Sequence, residues 1–130
     1  MIHESGVQVQ IGVTLAGVLV AVSIPIFTNQ LKKARLATNQ ANARAAYAAA
    51  TAAYLDEDET PTADVSYEYN VKTAVLGSRG TGGTAKLTDP IADWGVGDKY
   101  DDTNELGSKT ADSWVVELKA DGSLKGFTGK

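Results

Sequence analysis

Gly17-Val-Leu-Val-Ala-Val-Ser-Ile-Pro25-Ile-Phe27 is the stretch whose reading decides the fold. It belongs to an apolar run from Ile11 to Phe27, and no charged residue occurs between Glu4 and Lys32. Spanning a bilayer takes ~20 apolar residues, and Val9 to Ile26 nearly supplies them, blemished by Gln10, Thr14 and Ser23. The run then flows without a break into a polar, alanine-loaded pattern that ends near Leu55. Leu36, Ala43, Tyr47, Ala50 and Tyr54 recur at helical spacing, so they form one face, and that face is expected to carry a globular head. Ala34 to Ala53 holds eleven alanines in twenty residues. Side chains this small suit close helix–helix approach better than the filling of a large core.

Working outward, the chain divides into an apolar helix half (1–27), an amphipathic helix half (28–55) and a β-rich head (56–130). Val7 and Val9 alternate with Gln8 and Gln10, too short a pattern to fix the structure of Met1 to Gln10. The helix is expected to stop at Asp56-Glu57-Asp58-Glu59, where four acids meet the negative end of its dipole. Thr60-Pro61-Thr62 favours an extended exit. Val65, Tyr67 and Tyr69 alternate with polar residues as a half-buried strand. Val71 to Leu76 has the look of a helical turn, and Ser78 to Thr84 reads as a loop. Trp114, Val116 and Leu118 open a hairpin that turns at Ala120-Asp121-Gly122 and returns over Ser123 to Thr128. The expected head core is Val65, Tyr67, Tyr69, Val75, Leu76, Trp94, Trp114, Val116, Leu118, Leu124 and Phe127.

The composition narrows the function. With no cysteine, neither a disulfide staple nor a thiolate nucleophile exists. The net charge is −4, and the only basic cluster is Lys32, Lys33 and Arg35, so bulk nucleic-acid binding is not expected.

The segment Gly17 to Phe27, followed by Asn29-Gln-Leu-Lys-Lys-Ala-Arg35, resembles the type IV pilins. Ala41-Asn-Ala-Arg-Ala-Ala-Tyr47 and the closing Trp114-Val-Val-Glu-Leu-Lys-Ala-Asp-Gly122 look most like the cysteine-free pilins of Gram-positive bacteria. The resemblance implies an α+β lollipop, a long N-terminal helix whose second half lies on a small antiparallel sheet. It implies a structural protein that waits in the membrane, is handled by a pilus assembly machinery, and polymerises with itself into a thin cell-surface fibre. Adhesion, twitching motility and DNA uptake are the roles such fibres have. The assembly helix would then be carried by Gln8, Ile11, Leu15, Gly17, Val18, Leu19, Val22, Pro25 and Phe27.

The residues supply a physical motive for assembly. An apolar stripe of this length is poorly tolerated in water, and burying it against neighbours is worth ~25 cal/mol per Å² before association costs. Gly17 and Pro25 are poor helix residues, and in a fibre the segment between them is expected to lose regular helix. The beginning of the chain departs from the family pattern. Counting back from Pro25, the position of the family's N-terminal glutamate falls on Gln8, which hydrogen-bonds but cannot neutralise an ammonium. The matching first mature position is Glu4, and Met1 to Gly6 carries no Lys or Arg. Either the first residues are altered or foreign, or the chain is an atypical subunit; we favour alteration, and prepilin processing is not inferred.

Other motifs are weaker. Asp98, Asp101, Asp102, Asn104 and Glu105 form an oxygen-rich loop, the ligand type calcium takes, without EF-hand spacing; a solvated acidic loop is the plainer reading. Arg79-Gly-Thr-Gly-Gly83 lacks the Gly-Lys-Ser/Thr ending of a phosphate loop. Ala21-Val-Ser23 offers a signal-peptide-like site, but the helical pattern continues past it. His3 has no partner in view, and no histidine lies in the head to activate Ser113. No enzyme activity and no cofactor are expected. The competing readings are a pseudopilin of a secretion system and a membrane-tethered binding module.

Overall fold

The computed structural model describes residues 27–130 in full, and residues 2–26 only as backbone of the first helix. That helix, α1, spans Ile2–Asp56 and is followed by five strands: β1 (Val65–Asn70), β2 (Val75–Leu76), β3 (Gly80–Thr81), β4 (Ser113–Leu118) and β5 (Leu124–Gly129). The chain separates into two compact units, Met1–Leu31 and Lys32–Lys130. In the first, Phe27 and Leu31 are exposed. The second is the head, one long helix segment packed on a small antiparallel sheet, an α+β arrangement.

Alternation sets the sheet. Val65 and Tyr67 are buried and Tyr69 half-buried, with Glu68 and Asn70 turned to solvent. β4 is the central strand, antiparallel to β1 from Val65↔Leu118 to Asn70↔Ser113 and to β5 from Trp114↔Gly129 to Leu118↔Leu124. β2 and β3 pair with successive parts of β1 along its other edge, giving the order β2-β1-β4-β5 with β3 beside β1. The β4–β5 turn uses Gly122 at φ 87°, a conformation glycine adopts without the steric cost of a Cβ.

α1 presents Asn39, Ala43, Ala46 and Ala50, all fully buried, at spacings of one helical face. Leu36, Tyr47, Ala53 and Tyr54 flank them against the same core. Because three of the four central residues are alanine, the larger side chains of the sheet fill the interface. Trp114, Val116, Leu118 and Phe127 are all at 0% exposure. Phe127 meets Tyr47 edge to face at 6.1 Å, and Trp94 stacks on Trp114 at 5.6 Å. Such offset and edge-on arrangements suit the aromatic quadrupole.

The irregular segment between β3 and β4 supplies a third layer of core: Leu87, Ile91, Trp94, Tyr100, Leu106 and Ala111 are buried. Leu87 forms a bridge with Phe127 on the open edge of β5. Here the chain approaches so closely that a Cβ on Gly126 would stand 2.5 Å from both Ala85 Cβ and Leu87 O.

Three sequence expectations change. Val71 to Leu76 is a hydrogen-bonded turn leading into β2 and not a helical turn. Asn70 Oδ1 accepts the Thr73 amide at 2.9 Å, and Ala74 adopts φ 55°, which ends helical progress. Ser78 to Thr84 is not all loop, since β3 lies within it. Val75, expected in the core, is 59% exposed because it sits on a two-residue edge strand.

Candidate functional site

Two opposite faces of α1 do different work. The face turned to the head is fixed by hydrogen bonds as well as packing. Asn39 Nδ2 donates to Leu106 O and to Lys109 O, both at 2.9 Å, and Asn39 Oδ1 accepts from the Ala111 amide at 2.9 Å. Gln40 Nε2 donates to Ile91 O at 3.0 Å, and Tyr54 Oη to Ala120 O at 2.7 Å. Of the residues expected on this face, Ala43 and Ala50 are buried, and Leu36, Tyr47 and Tyr54 are half-buried. Asn39 and Ala46 share the face and were not anticipated. Their spacing to Ala43 and Ala50 was the available signal, and the polarity of Asn39 argues against burial unless its partners are known.

The opposite face is open. Ala34, Thr38, Ala41, Ala45, Ala48, Ala52 and Leu55 are all exposed, and they recur at alternating intervals of four and three. This is the heptad spacing of a coiled-coil seam, sustained over three heptads in the head unit. In the sequence the same spacing reaches back through Leu31 and Phe27. Among the described residues, the exposed large apolar side chains of the helix lie on this register: Phe27 at 69%, Leu31 at 38% and Leu55 at 77%. A strict 3.5-residue repeat favours a left-handed, shallow crossing with another helix, and alanine permits the short end of the ~8–10 Å interaxial range.

At the end of α1, Glu57 is held from two sides, by the Tyr67 hydroxyl at 2.7 Å and by an ion pair with Arg79. Burial, reinforced by the hydrogen bond to Glu57 and its charge, pushes the Tyr67 phenol up to about 12. Burial likewise raises Tyr100, helped by Asp101 and Asp112. The folded state holds the Tyr67 proton more tightly than the unfolded chain, whose phenol titrates near ~10. Its contribution to stability is therefore complete below pH ~10 and is lost as pH rises through the folded value. An ultraviolet difference titration is expected to show two late phenols, with the one near pH 12 missing from Tyr67→Phe. A Tyr67→Phe curve that superimposes on wild type would show that Tyr67 is not that phenol.

The remaining motifs are occupied by the fold. Asp98 accepts from the Gly95 amide at 2.7 Å. Asp101 accepts from the Thr103 amide at 2.8 Å and from both nitrogens of Asn104, which holds its carboxyl below the usual range. Asp102 pairs with Lys86, and the backbone of Glu105 forms an antiparallel β-bridge with that of Lys99. Among the described residues, no three His, Cys, Asp or Glu side chains come together as a metal set. The Arg79–Gly83 segment holds β3 and then crosses to the buried Glu117, whose carboxylate accepts the Gly83 amide. Ser113 is buried in β4. Gln8, Ile11, Leu15, Gly17, Val18, Leu19, Val22 and Pro25 lie outside the described residues, as does His3. Among the described residues no helix is long and apolar enough to cross a membrane.

No protein-family profile, curated protein or solved structure matches the chain.

Proposed function

We propose that this chain is the structural subunit of a type IV pilus-like filament, polymerising through α1, with the head on the fibre surface. The observation that carries the reading is the unpartnered heptad face from Ala34 to Leu55, on the side of α1 away from the head. A helix that served only its own head would gain from charge and polar side chains there, as surface helices do. Instead the face is small and apolar, and in sequence it joins the charge-free run Ile11 to Phe27. Both surfaces ask for helices of other copies. Before assembly the apolar run would be held in a membrane, from which the assembly machinery draws subunits into a cell-surface fibre. The loops Ser78 to Thr84 and Asp89 to Leu106 would set what the fibre touches.

Electron microscopy of the purified full-length protein is the test. Long thin fibres with a helical repeat are expected from the wild type. Leu15→Asp and Leu19→Asp are expected to abolish them with the circular dichroism of the head unchanged. Normal fibres from those variants would remove the apolar run from the fibre core. Only monomers or detergent-bound particles from the wild type would replace the filament reading with a membrane-tethered module.

A further inference from the structure

Within the head, the Asn39 network and the β1–β2 turn enclose a groove. Asn39 Oδ1 holds the Ala111 amide against α1, and the Val71 amide donates to Asp112 O at 3.0 Å, tying the turn to the start of β4. Asn70 Oδ1 braces the turn itself through the Thr73 amide. Among these supports lies a concavity of 290 Å³, lined by Thr38 and Asn42 of α1 and by Lys72 and Asp112 of the segments facing it. Small-molecule pockets begin near ~300 Å³, so it suits one small ligand. Its most deeply set lining residues are Ala111, which is buried, and Val71, which is half-buried.

The polar groups around this groove are unspent. Among the described residues, the side chains of Thr38, Asn42, Lys72 and Asp112 make no hydrogen bond or ion pair. The ion pairs there join Arg79 to Glu57, Lys86 to Asp102, Lys125 to Asp64 and Lys130 to Glu68. Lys72 and Asp112 flank the Val71–Asp112 backbone bond and still do not pair with each other. Two opposite charges are thus held side by side on braced backbone, and a ligand that uses them does not have to order the walls.

The charges select the chemistry of the ligand. A lone anion would meet Asp112, and a lone cation would meet Lys72. A neutral ligand would cover both charges and satisfy neither. We propose that the groove binds a free α-amino acid, its carboxylate on Lys72 Nζ and its ammonium on the Asp112 carboxylate. The ligand's side chain then runs over Val71 and Ala111 toward Asn42 and Thr38. The Asn42 amide and the Thr38 hydroxyl suit a side chain that ends in a carboxamide, since each both donates and accepts. The proposal is independent of the filament reading, because every residue it uses lies in the head unit.

The experiment is a nuclear magnetic resonance titration of the full-length chain, labelled with nitrogen-15 and held in detergent. Thr38 also belongs to the heptad face, so the unassembled subunit is the form to use. L-Glutamine is the probe, with an affinity expected on the order of 1 mM. Saturable shifts are expected at the backbone amides of Lys72, Ala111 and Asp112 and at the side-chain amide of Asn42. L-Glutaminamide lacks the carboxylate and N-acetyl-L-glutamine lacks the ammonium; each is expected to bind at least about tenfold more weakly. The two charges are separated by variants of exposed side chains that keep the backbone bonds. Lys72→Met is expected to lose the preference over glutaminamide and keep that over N-acetylglutamine, and Asp112→Asn to do the reverse. No saturable shift at these amides, or equal binding of the three probes, would overturn the proposal. D-Glucose shifting the same amides as strongly as glutamine would overturn it in favour of a neutral sugar. Each of those results leaves the filament reading standing, since fibres are scored separately.

Discussion

Asn39→Leu is expected to destabilise the head by about 3–5 kcal/mol, a loss out of proportion to a change of similar volume. The reason is the accounting of polar groups. Asn39 is at 0% exposure and uses both its amide nitrogen and its oxygen, serving Leu106 O, Lys109 O and the Ala111 amide. Leucine would fill the space and leave the Leu106 carbonyl and the Ala111 amide buried without partners, each costing ~1–3 kcal/mol, and would strip the part-buried Lys109 carbonyl of its donor as well. For a domain of this size the fall in melting temperature is roughly 15–30 °C. Asn39→Asp is expected to do no better near neutral pH. It keeps an acceptor for the Ala111 amide but turns a charge toward two carbonyl oxygens and loses both donated bonds. Denaturation of the full chain, followed by the near-ultraviolet signal of Trp94 and Trp114, gives the number. A cost below about 1 kcal/mol would mean that water replaces the asparagine and that the network does not hold the loop to the helix.

That network explains why part of the molecule was legible in the sequence and part was not. The head-facing side of α1 was readable because Leu36, Ala43, Tyr47, Ala50 and Tyr54 follow a simple helical period. β1 and the β4–β5 hairpin were readable because alternation and the Asp121-Gly122 turn are local signals. Asn39 was missed because its burial depends on carbonyls some seventy residues away. Leu87, Ile91, Tyr100 and Leu106 were missed for a related reason. They belong to a segment with almost no regular structure, held by long-range contacts such as Lys86 and Leu87 donating to Phe127 O. Periodicity has nothing to report there. The heptad face was hidden differently. Alanine occupies both sides of the helix between Ala34 and Ala53, and only the burial of Ala43, Ala46 and Ala50 separates the head-facing alanines from those left open.

Glutamate at Ala45 is expected to abolish assembly while leaving the head as stable as before. Ala45 is exposed in the subunit and stands near the middle of the heptad face. Glutamate is a good helix former, and surface changes of this kind usually fall within ~0.5 kcal/mol. In the proposed fibre the same position would be enclosed between two helices brought close by alanine. A carboxylate there must either stay buried without a cation or push the helices apart, and an uncompensated buried charge costs ~3–5 kcal/mol. At about 1.4 kcal/mol per factor of ten, the concentration needed for polymerisation rises by ~10²–10³ at the least. Ala45→Ser adds a group small enough to keep the close approach, and it is expected to polymerise nearly as wild type does. Ala48→Glu, one step along the same face, is expected to behave like Ala45→Glu. Sedimentation of assembled material with imaging of the pellet compares the four proteins directly. Wild-type fibres from both glutamate variants would show that this face of α1 is solvent-facing in the polymer, and the assembly contact would have to be sought on the head.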